Sequence, residues 1–452
     1  MCSSDLTRLP RRRPMTADDV LGLIALSGVL VVGMWVRHGG PLQLTDLGGI
    51  LTAVGQVTAL LGTWLALVGI LLMSRAPFLD RTVPTDRMLR WHRLTGFWCV
   101  WLIGAHAVTT TLGWAIGAGM TVLDEIGSLL ATWDVLAAVV ALGLFVLVAV
   151  SSMRFARRRL SRETWYGIHL YVYLALVLAF FHELSMGADF YGDQVALGYW
   201  IALYVIALGS LLVWRVGAPI VLTLRHRPVV AAVIPEAPGV VSIVLTGRRF
   251  DRMAVRAGQF FQLRFLAGGG WWRPHPFSIS AMPDGRTLRF TVRDLGDDTS
   301  RMMRLAPGTR AFLEGPYGTF TTEEVGDRGV ALFAGGIGIT PLRAMLEDLP
   351  PGLGRAILLF RASTWDEIVF RGELDALAAE RGFGVRYLVG KRGTPEMPVD
   401  PLAPEWIERL VPDIRDRVSF VCGSDGFMDR VEAGLRDLGV PKGRIHAERF
   451  SF

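Results

Sequence analysis

Four histidines carry the spacing from which this chain is best read. His92 and His106 stand fourteen residues apart in one apolar stretch, residues 90–112, and His169 and His182 stand thirteen apart in another, residues 164–183. On a helix rising 1.5 Å per residue, fourteen residues set two side chains ~21 Å apart, against a hydrocarbon core about 30 Å thick. Read as membrane-spanning helices, the two stretches each offer one imidazole toward each face of the bilayer. Neutral imidazole is an axial ligand of haem iron, so two such helices side by side are expected to hold two haems stacked across the membrane. A single intramembrane histidine is more often a hydrogen-bonding group in a packed interface. Four of them at matched depth, each costly in lipid, call for a function. The helical phase differs between the stretches. Fourteen residues return within ~40° of the starting face, whereas thirteen leave His182 about 140° from His169 on an ideal helix. The second helix must be wound differently, be tilted, or ligate from different sides.

The elements that would position these histidines follow from composition. The chain has 452 residues and is 51% hydrophobic, with a mean hydropathy of +0.39. Long apolar runs fill the first half, and short alternating segments with Gly/Pro turns follow Arg225. Six spans are expected, at 18–36, 47–73, 90–112, 129–153, 164–183 and 195–216, each near or above the ~20 residues needed to cross. Arginines crowd the N-terminus, segments 75–93 and 154–162, and the exit at Arg215, Arg225 and Arg227. The connections 113–133 and 184–194 have no Lys or Arg. Basic and bare ends alternate, which predicts a multi-pass protein of the plasma membrane with its N-terminus and its whole second half in the cytoplasm. The third and fifth spans then run in the same direction, pairing His92 with His169 at the inner level and His106 with His182 at the outer.

The net charge of +6 sits at the ends of apolar spans, which argues against nucleic acid as a partner; lipid is the expected one. Cys2, Cys99 and Cys422 form neither a disulfide framework nor a zinc spacing. Arg8 and Arg11–Arg13 precede an apolar run without a small-residue cleavage site, which reads as a retained first helix rather than a removed signal peptide. Arg87, Arg90 and Arg162 stand at the inner level, where they would meet haem propionates, although positive-inside topology alone explains most of them. Trp98 and Trp101 lie between the two histidines of the third span and serve either as packing or as an electron relay. Cys99 reads as core, and His38 and His226 have no partner at ligand spacing.

The second half divides by pattern. Short alternating strands at 230–234, 240–245, 259–265, 277–280 and 288–292, with turns at Pro238-Gly239 and Asp284-Gly285, predict a small antiparallel β-barrel. From Gly329, strands at 330–334, 356–361, 385–389 and 418–422 alternate with helices at 341–349, 367–381, 406–410 and 427–438, predicting an α/β domain on a parallel sheet. Between its first strand and helix runs Gly335-Gly336-Ile337-Gly338-Ile339-Thr340-Pro341. Glycines at a strand-to-helix turn let the backbone approach a pyrophosphate, and the helix N-terminus favours its charge. Cys422-Gly423-Ser424 ends the last of these strands and belongs to the same rim; without the glycines, a small buried residue would be the plainer reading of Cys422.

The second half resembles the ferredoxin–NADP reductase superfamily, an FAD-binding barrel followed by a nicotinamide-binding domain. The flavin motif of that family is matched by His275-Pro276-Phe277-Ser278-Ile279-Ser280-Ala281, with Ala281 replacing a serine and removing one phosphate contact. Arg293, Gly296 and Thr299, then Gly315-Pro316-Tyr317-Gly318, the glycine turn, Cys422-Gly423 and the ending Glu448-Arg449-Phe450-Ser451-Phe452 extend the match. Joined to six spans with two histidine pairs, the chain is similar to bacterial NADPH oxidases and ferric reductase-like transmembrane proteins. That resemblance implies cytoplasmic N-terminal residues 1–17, a haem-binding membrane domain at 18–217, an FAD domain at 226–322 and an NAD(P) domain at 326–452. It implies electron transfer from NADPH or NADH through FAD and two b-type haems to an acceptor outside. Ser278 would hydrogen-bond near the flavin's reactive nitrogen, Phe277 would pack on the flavin, and His275 would reach its phosphates. Cys422 and Glu448 would line the nicotinamide position, and Phe450, or else Phe452, would stack over the isoalloxazine. Arg361, Lys391 or Arg392 would meet a 2′-phosphate, which favours NADPH.

Three activities fit this wiring. The first is superoxide formation from oxygen, and the second is ferric-chelate reduction. The third is a non-catalytic haem-binding membrane protein or a transporter with a regulatory domain, against which the flavin and nucleotide motifs argue. Some eukaryotic oxidases carry a further histidine one turn beyond the outer ligand; here that residue is Thr110.

Overall fold

The computed structural model describes residues 15–187, 193–268, 271–352, 354–391, 393, 394, 397 and 400–449, apart from the side chains of Arg162 and Glu324. It falls into two compact units, Met1–Arg215 and Val216–Phe452.

In the first unit the apolar runs form α1 (Ala17–Arg37), α2 (Leu47–Met73), α3 (Thr85–Ala118), α4 (Trp133–Ser152), α5 (Arg162–His169), α6 (Tyr171–Met186) and α7 (Gln194–Ser210). Polar residues start several of them. Thr16 and Asp19 form a reciprocal capping box on α1, Asp46 accepts from Gly49 N at 2.9 Å on α2, and Asp193 accepts from Val195 N at 2.8 Å on α7. Such caps satisfy the orphan amides of a first turn. Among the described residues, six helical spans are long and apolar enough to cross a membrane.

Two departures from regular helix matter. The fifth span is interrupted at Leu170, between α5 and α6, where Tyr173 N donates to the Leu170 carbonyl three residues back, at 3.1 Å. This tighter winding falls between His169 and His182, so the fifth span is not the ideal helix on which their spacing put them on different faces. The sixth span runs past residue 216. Leu211–Gly217 is a π-helical segment, followed by α8 (Ala218–His226). Pro219 has no N–H to give, and a wider turn upstream of it is the usual accommodation.

The second unit opens with β1 (Val229–Ala237), β2 (Val240–Thr246), β3 (Phe260–Phe265), β4 (His275–Ser278), β5 (Thr287–Arg293) and β6 (Ala311–Tyr317). These form two three-stranded antiparallel sheets, ordered β1-β2-β5 and β4-β3-β6. The closed barrel expected from the pattern is not formed. Among the described residues the ladders of the two sheets are joined by single bridges, Val229 with Arg310 and Ile279 with Phe290. Bulges between Val230 and Ala232 and between Pro235 and Ala237, with a proline that has no amide to donate, keep β1 an edge strand.

The parallel sheet has the order β11-β10-β7-β8-β9, from β7 (Val330–Gly335), β8 (Ala356–Ala362), β9 (Gly384–Val389), β10 (Val418–Gly423) and β11 (Ile445–Arg449). Helices α9 (Ile339–Asp348), α10 (Arg371–Arg381) and α11 (Asp425–Asp437) pack around it. Strand period decides the layers: Val330, Leu332 and Ala334 face one core shared with the antiparallel sheets, while Ala331 and Phe333 face a second core beneath α11.

Candidate functional site

Within the first unit the four histidines meet as expected pairs. The ring centroids of His92 and His169 lie 6.0 Å apart, and those of His106 and His182 lie 6.3 Å apart. Two imidazoles ligating one metal from opposite sides, each through a bond of about 2.0 Å, hold their centroids ~6.4 Å apart. Both pairs fit that spacing. His92 Nδ1 lies 3.1 Å from the Gly69 carbonyl, and His106 Nδ1 lies 3.0 Å from the Gly55 carbonyl. A carbonyl only accepts, so Nδ1 carries the proton in both rings and Nε2 keeps its lone pair for a metal, the backing that ligating imidazoles ordinarily have. The Nδ1 atoms of His169 and His182 are buried without a hydrogen-bond partner. Among the described residues no group of three or more His, Cys, Asp or Glu could hold a metal ion. The histidines offer only pairs, which suits a porphyrin that brings four nitrogens of its own.

Sequence reasoning missed what brings α2 to these rings. Gly48, Gly55, Gly62 and Gly69 recur every seven residues on one face of α2. A Cβ at Gly55 would lie 2.1 Å from Thr110 Oγ1, and one at Gly62 would lie 2.8 Å from Ile103 Cγ1. Glycine at these positions lets α2 lie against α3, close enough for two of its carbonyls, fourteen residues apart, to meet the two imidazoles of α3, also fourteen apart. Beside His182, the Glu183 carboxyl accepts from Thr63 Oγ1 at 2.6 Å and from Tyr204 OH at 2.8 Å, tying α6 to α2 and α7. Trp98 and Trp101 are 51% and 64% exposed on the surface of this unit. His38, unassigned by spacing, lies 2.7 Å from Asp193 Oδ2.

In the second unit, residues from both kinds of sheet converge. Ser278 ends β4 with its Oγ buried and unpartnered, and it pairs with Phe260 on β3. Phe260 packs on Tyr317, ring centroids 5.9 Å apart. Gly318, at φ 102°, follows; a Cβ there would lie 3.3 Å from the Phe260 ring and 3.6 Å from Glu448 Oε1. Glu448 on β11 pairs with Cys422 on β10. Gly338 lies so close to β10 that a Cβ would come within 2.2 Å of the Cys422 carbonyl. Ser278, Cys422, Glu448 and the glycine turn thus share one neighbourhood. Burial pushes the Glu448 carboxyl up to about 8. Burial, with Glu448 beside it, raises the Cys422 thiol well above its ordinary value. Cys422 is therefore a thiol rather than a thiolate nucleophile at neutral pH.

Arg293 at the end of β5 reaches the glycine turn, its Nη1 3.7 Å from where a Cβ on Gly336 would lie, and both line a cleft of about 800 Å³ with Arg361, Gly423, Phe427 and Arg430. Phe427 rests on two glycines: a Cβ would lie 2.9 Å from its ring at Gly335 and 2.7 Å at Gly423. Thr340 Oγ1 donates to the Ile337 carbonyl at 3.1 Å, and Pro341 is buried in the first turn of α9. Arg361 reaches the cleft, but its guanidinium donates to the carbonyls of Leu388, at 2.9 Å, Ala362 and Gly390. Gly296 caps a short helix, Asp297–Met302, where the Thr299 hydroxyl accepts from Leu295 N at 2.8 Å. His275 stacks on Phe277 and lies 3.6 Å from Asp298, and Pro276 pairs with Gln262. Phe450, Phe452 and Arg392 lie outside the described residues.

Residues 58–180 match the family "Ferric reductase like transmembrane component", a span that includes His92, His106 and His169. Ferredoxin--NADP reductase B of Sorangium cellulosum is 33% identical over 235 residues, 48% of this chain and 95% of that protein. The chain belongs to the ferredoxin–NADP reductase family. A second member, the ferredoxin reductase component of 3-ketosteroid-9-alpha-monooxygenase from Rhodococcus rhodochrous, is 30% identical over 232 residues, 49% of this chain; the chain spans 64% of that protein's length. The FAD/NAD-binding domain of nitric oxide dioxygenase from Vibrio cholerae is 25% identical, with 50% of this chain and 98% of that one covered at a TM-score of 0.40. This member of the ferredoxin–NADP reductase family is an NAD(P)H-dependent oxidoreductase and a multi-pass membrane protein carrying a ferric reductase-like component.

Proposed function

We propose that the chain carries electrons from cytoplasmic NADPH or NADH, through FAD and two b-type haems, to oxygen outside the cell, forming superoxide. The observation that carries this reading is the pair of imidazole pairs at 6.0 and 6.3 Å, on membrane helices of a chain that also holds a reductase module. When bound, FAD takes up a hydride and releases electrons singly, and haem iron passes single electrons on. The chain's own residues bind and orient. His92 with His169, and His106 with His182, ligate the inner and outer irons, and the carbonyls of Gly69 and Gly55 fix the rings of α3. In residues 226–322, His275, Pro276, Phe277, Arg293, Gly296 and Thr299 hold the flavin, and the Ser278 hydroxyl, which has no protein partner, is kept for its reactive nitrogen. In residues 326–452, Gly335, Gly336 and Gly338 admit the nucleotide's pyrophosphate at the start of α9, with Thr340 and Pro341 shaping that turn. Cys422 and Glu448 offer an uncharged wall to the nicotinamide, and Gly423 lets it approach. Phe450 covers the flavin until the nicotinamide arrives. Arg361, whose guanidinium also donates to three carbonyls of the nucleotide rim, meets a 2′-phosphate, with Lys391 or Arg392 as the alternatives.

One contact favours a ferric chelate as acceptor instead. Thr110, one turn beyond His106, has its hydroxyl 3.1 Å from His106 Nδ1 and packs against Gly55, so it is not turned toward an outer oxygen site. The test is anaerobic addition of NADPH to the purified full chain, with haem absorption recorded, followed by oxygen or a ferric chelate in separate samples. Reduced haem bands that oxygen reoxidises with superoxide release support the oxidase. Reoxidation only by the chelate supports the reductase, and haem that NADPH never reduces refutes both.

A further inference from the structure

Four charged side chains that the proposed electron path does not use form one cluster in the second unit. Glu373 on α10 takes Arg289 in a two-pronged pair, Nη1 at 2.8 Å and Nη2 at 2.9 Å. The same carboxylate takes Arg343 Nη2 at 2.8 Å. Arg343, on α9 with its side chain only 8% exposed, also pairs with Glu347 at 2.6 Å. The cluster is fastened to the backbone at the end of the flavin motif, at Ser280 and Met282. The Ser280 carbonyl accepts from Arg289 Nη2 at 2.9 Å and from Arg343 Nη1 at 3.2 Å, and Met282 N donates to Glu347 Oε2 at 2.6 Å. The Nε atoms of both arginines are buried without partners. Burial alone would push the Glu373 carboxyl up; its bonds and charges from Arg289 and Arg343 outweigh that and hold it below the ordinary carboxylate value.

Buried ion pairs are a poor way to stabilise a fold, since apolar residues of similar volume often serve as well or better. What this cluster does offer is direction. It bonds the segment two residues beyond Ser278 to α9, one turn after the glycine turn that starts that helix. We propose that Arg289, Arg343, Glu347 and Glu373 are positioning residues that set how closely the nicotinamide approaches the flavin. The inference rests on the reading that Ser278 and the glycine turn flank those two rings. Hydride transfer is steep in donor–acceptor geometry, and a misplacement of about 1 Å from afar costs up to ~100-fold in rate. Loosening the clamp therefore slows transfer without removing a group that touches either ring.

The experiment uses the full chain and compares Glu373→Gln and Arg343→Met with the native protein. Stopped-flow flavin reduction is measured with NADPH and with 4-deuterated NADPH, alongside FAD content and thermal midpoint. Both variants are expected to keep FAD and the nucleotide's KM, to reduce flavin about tenfold more slowly, and to show a weaker nicotinamide–flavin charge-transfer band and an altered isotope effect. Arg343→Lys, which keeps the charge and one donor, should recover part of the rate. A lowered thermal midpoint with unchanged rate, band and isotope effect would overturn the proposal by making the cluster purely structural. Loss of FAD from both variants would overturn it as well, by making the cluster part of the flavin site. Failure of the native chain to bind FAD or oxidise NADPH would instead defeat the functional reading beneath it.

Discussion

Replacing Gly55 with alanine tests the link between helix packing and the outer histidine pair. The added Cβ would lie 2.1 Å from Thr110 Oγ1 and 3.1 Å from both Thr109 Oγ1 and Thr110 N. Threonine is β-branched and stiff in a helix, and turning Oγ1 away brings its methyl toward the gap. Helices α2 and α3 must therefore part locally by about 1.3 Å to reach ordinary contact at 3.4 Å. A bond of 3.0 Å from His106 Nδ1 to the Gly55 carbonyl does not survive that shift. Overpacking costs about 1–3 kcal/mol; the Gly55 carbonyl keeps the Thr58 hydroxyl at 3.0 Å and His106 Nδ1 keeps the Thr110 hydroxyl at 3.1 Å, so what is lost is the bond that orients the ring against α2. Loss of such a backing bond typically weakens metal binding by about 10–100-fold. The expected result is a chain that retains the inner haem and loses, or binds loosely, the outer one. The assay is haem per chain by pyridine haemochrome, with redox titration to resolve two midpoints. Adding Thr110→Ala removes the closest atom and should restore part of the outer haem. Two haems with unshifted midpoints in Gly55→Ala would refute the reasoning, as would loss of the inner haem in place of the outer.

Three further outcomes are expected. Alanine at His106 or His182 should remove the outer haem and leave the inner one reducible by NADPH; two haems per chain in all four single histidine variants would end the ligand assignment. Glu448, its carboxyl raised to about 8 by burial against an ordinary value of 4.5, binds a proton in the folded state that the unfolded chain has released. Its contribution to stability is therefore present below about 4.5 and is lost as pH rises toward 8; Glu448→Gln should flatten that slope in thermal melts between pH 5 and 8, and an unchanged slope would count against a raised carboxyl. Phe450→Ser should tighten nicotinamide binding and relax any preference for NADPH, because a ring that must first move lowers apparent affinity by the fraction of competent protein; an effect only in Phe452→Ser would shift the stacking role to that residue.

What was legible in the sequence were the features with a short period. Apolar runs, strand alternation and the glycine turn each fix a local structure, and most of these elements form within a few residues of their expected place, while the third span extends to Thr85–Ala118 and the sixth to His226. Two strands were missed for local reasons. In β6 the alternation breaks at Gly315-Pro316, where the ladder with β3 shifts register between Glu314 and Tyr317. β11 is five residues long and carries His446 and Glu448 in alternation with apolar ones, too little pattern to stand apart from a loop. The thirteen-residue phase of His182 left three arrangements open, because a period argument assumes a continuous helix; the fifth span is interrupted and tightens at Leu170.

The remaining features depend on which surfaces meet, and no window of sequence holds that. The glycines of α2 repeat every seven residues in plain view, yet a seven-residue repeat of glycine has no meaning until α3 is known to lie against it. Then the fourteen residues between Gly55 and Gly69 match the fourteen between His92 and His106, and the repeat becomes a pair of carbonyls at imidazole height. The clamp is more remote still: Arg289 and Glu373 are 84 residues apart, one on strand β5 and the other on helix α10, and neither announces the other in the sequence. The same physics governs both. A polar group buried without a partner is expensive, so wherever the fold forces an imidazole or a guanidinium inside, a carbonyl or a carboxylate from another element must be brought to it. The close approach of α2 to α3, and of α9 to the end of the flavin motif, are the packings that meet that demand.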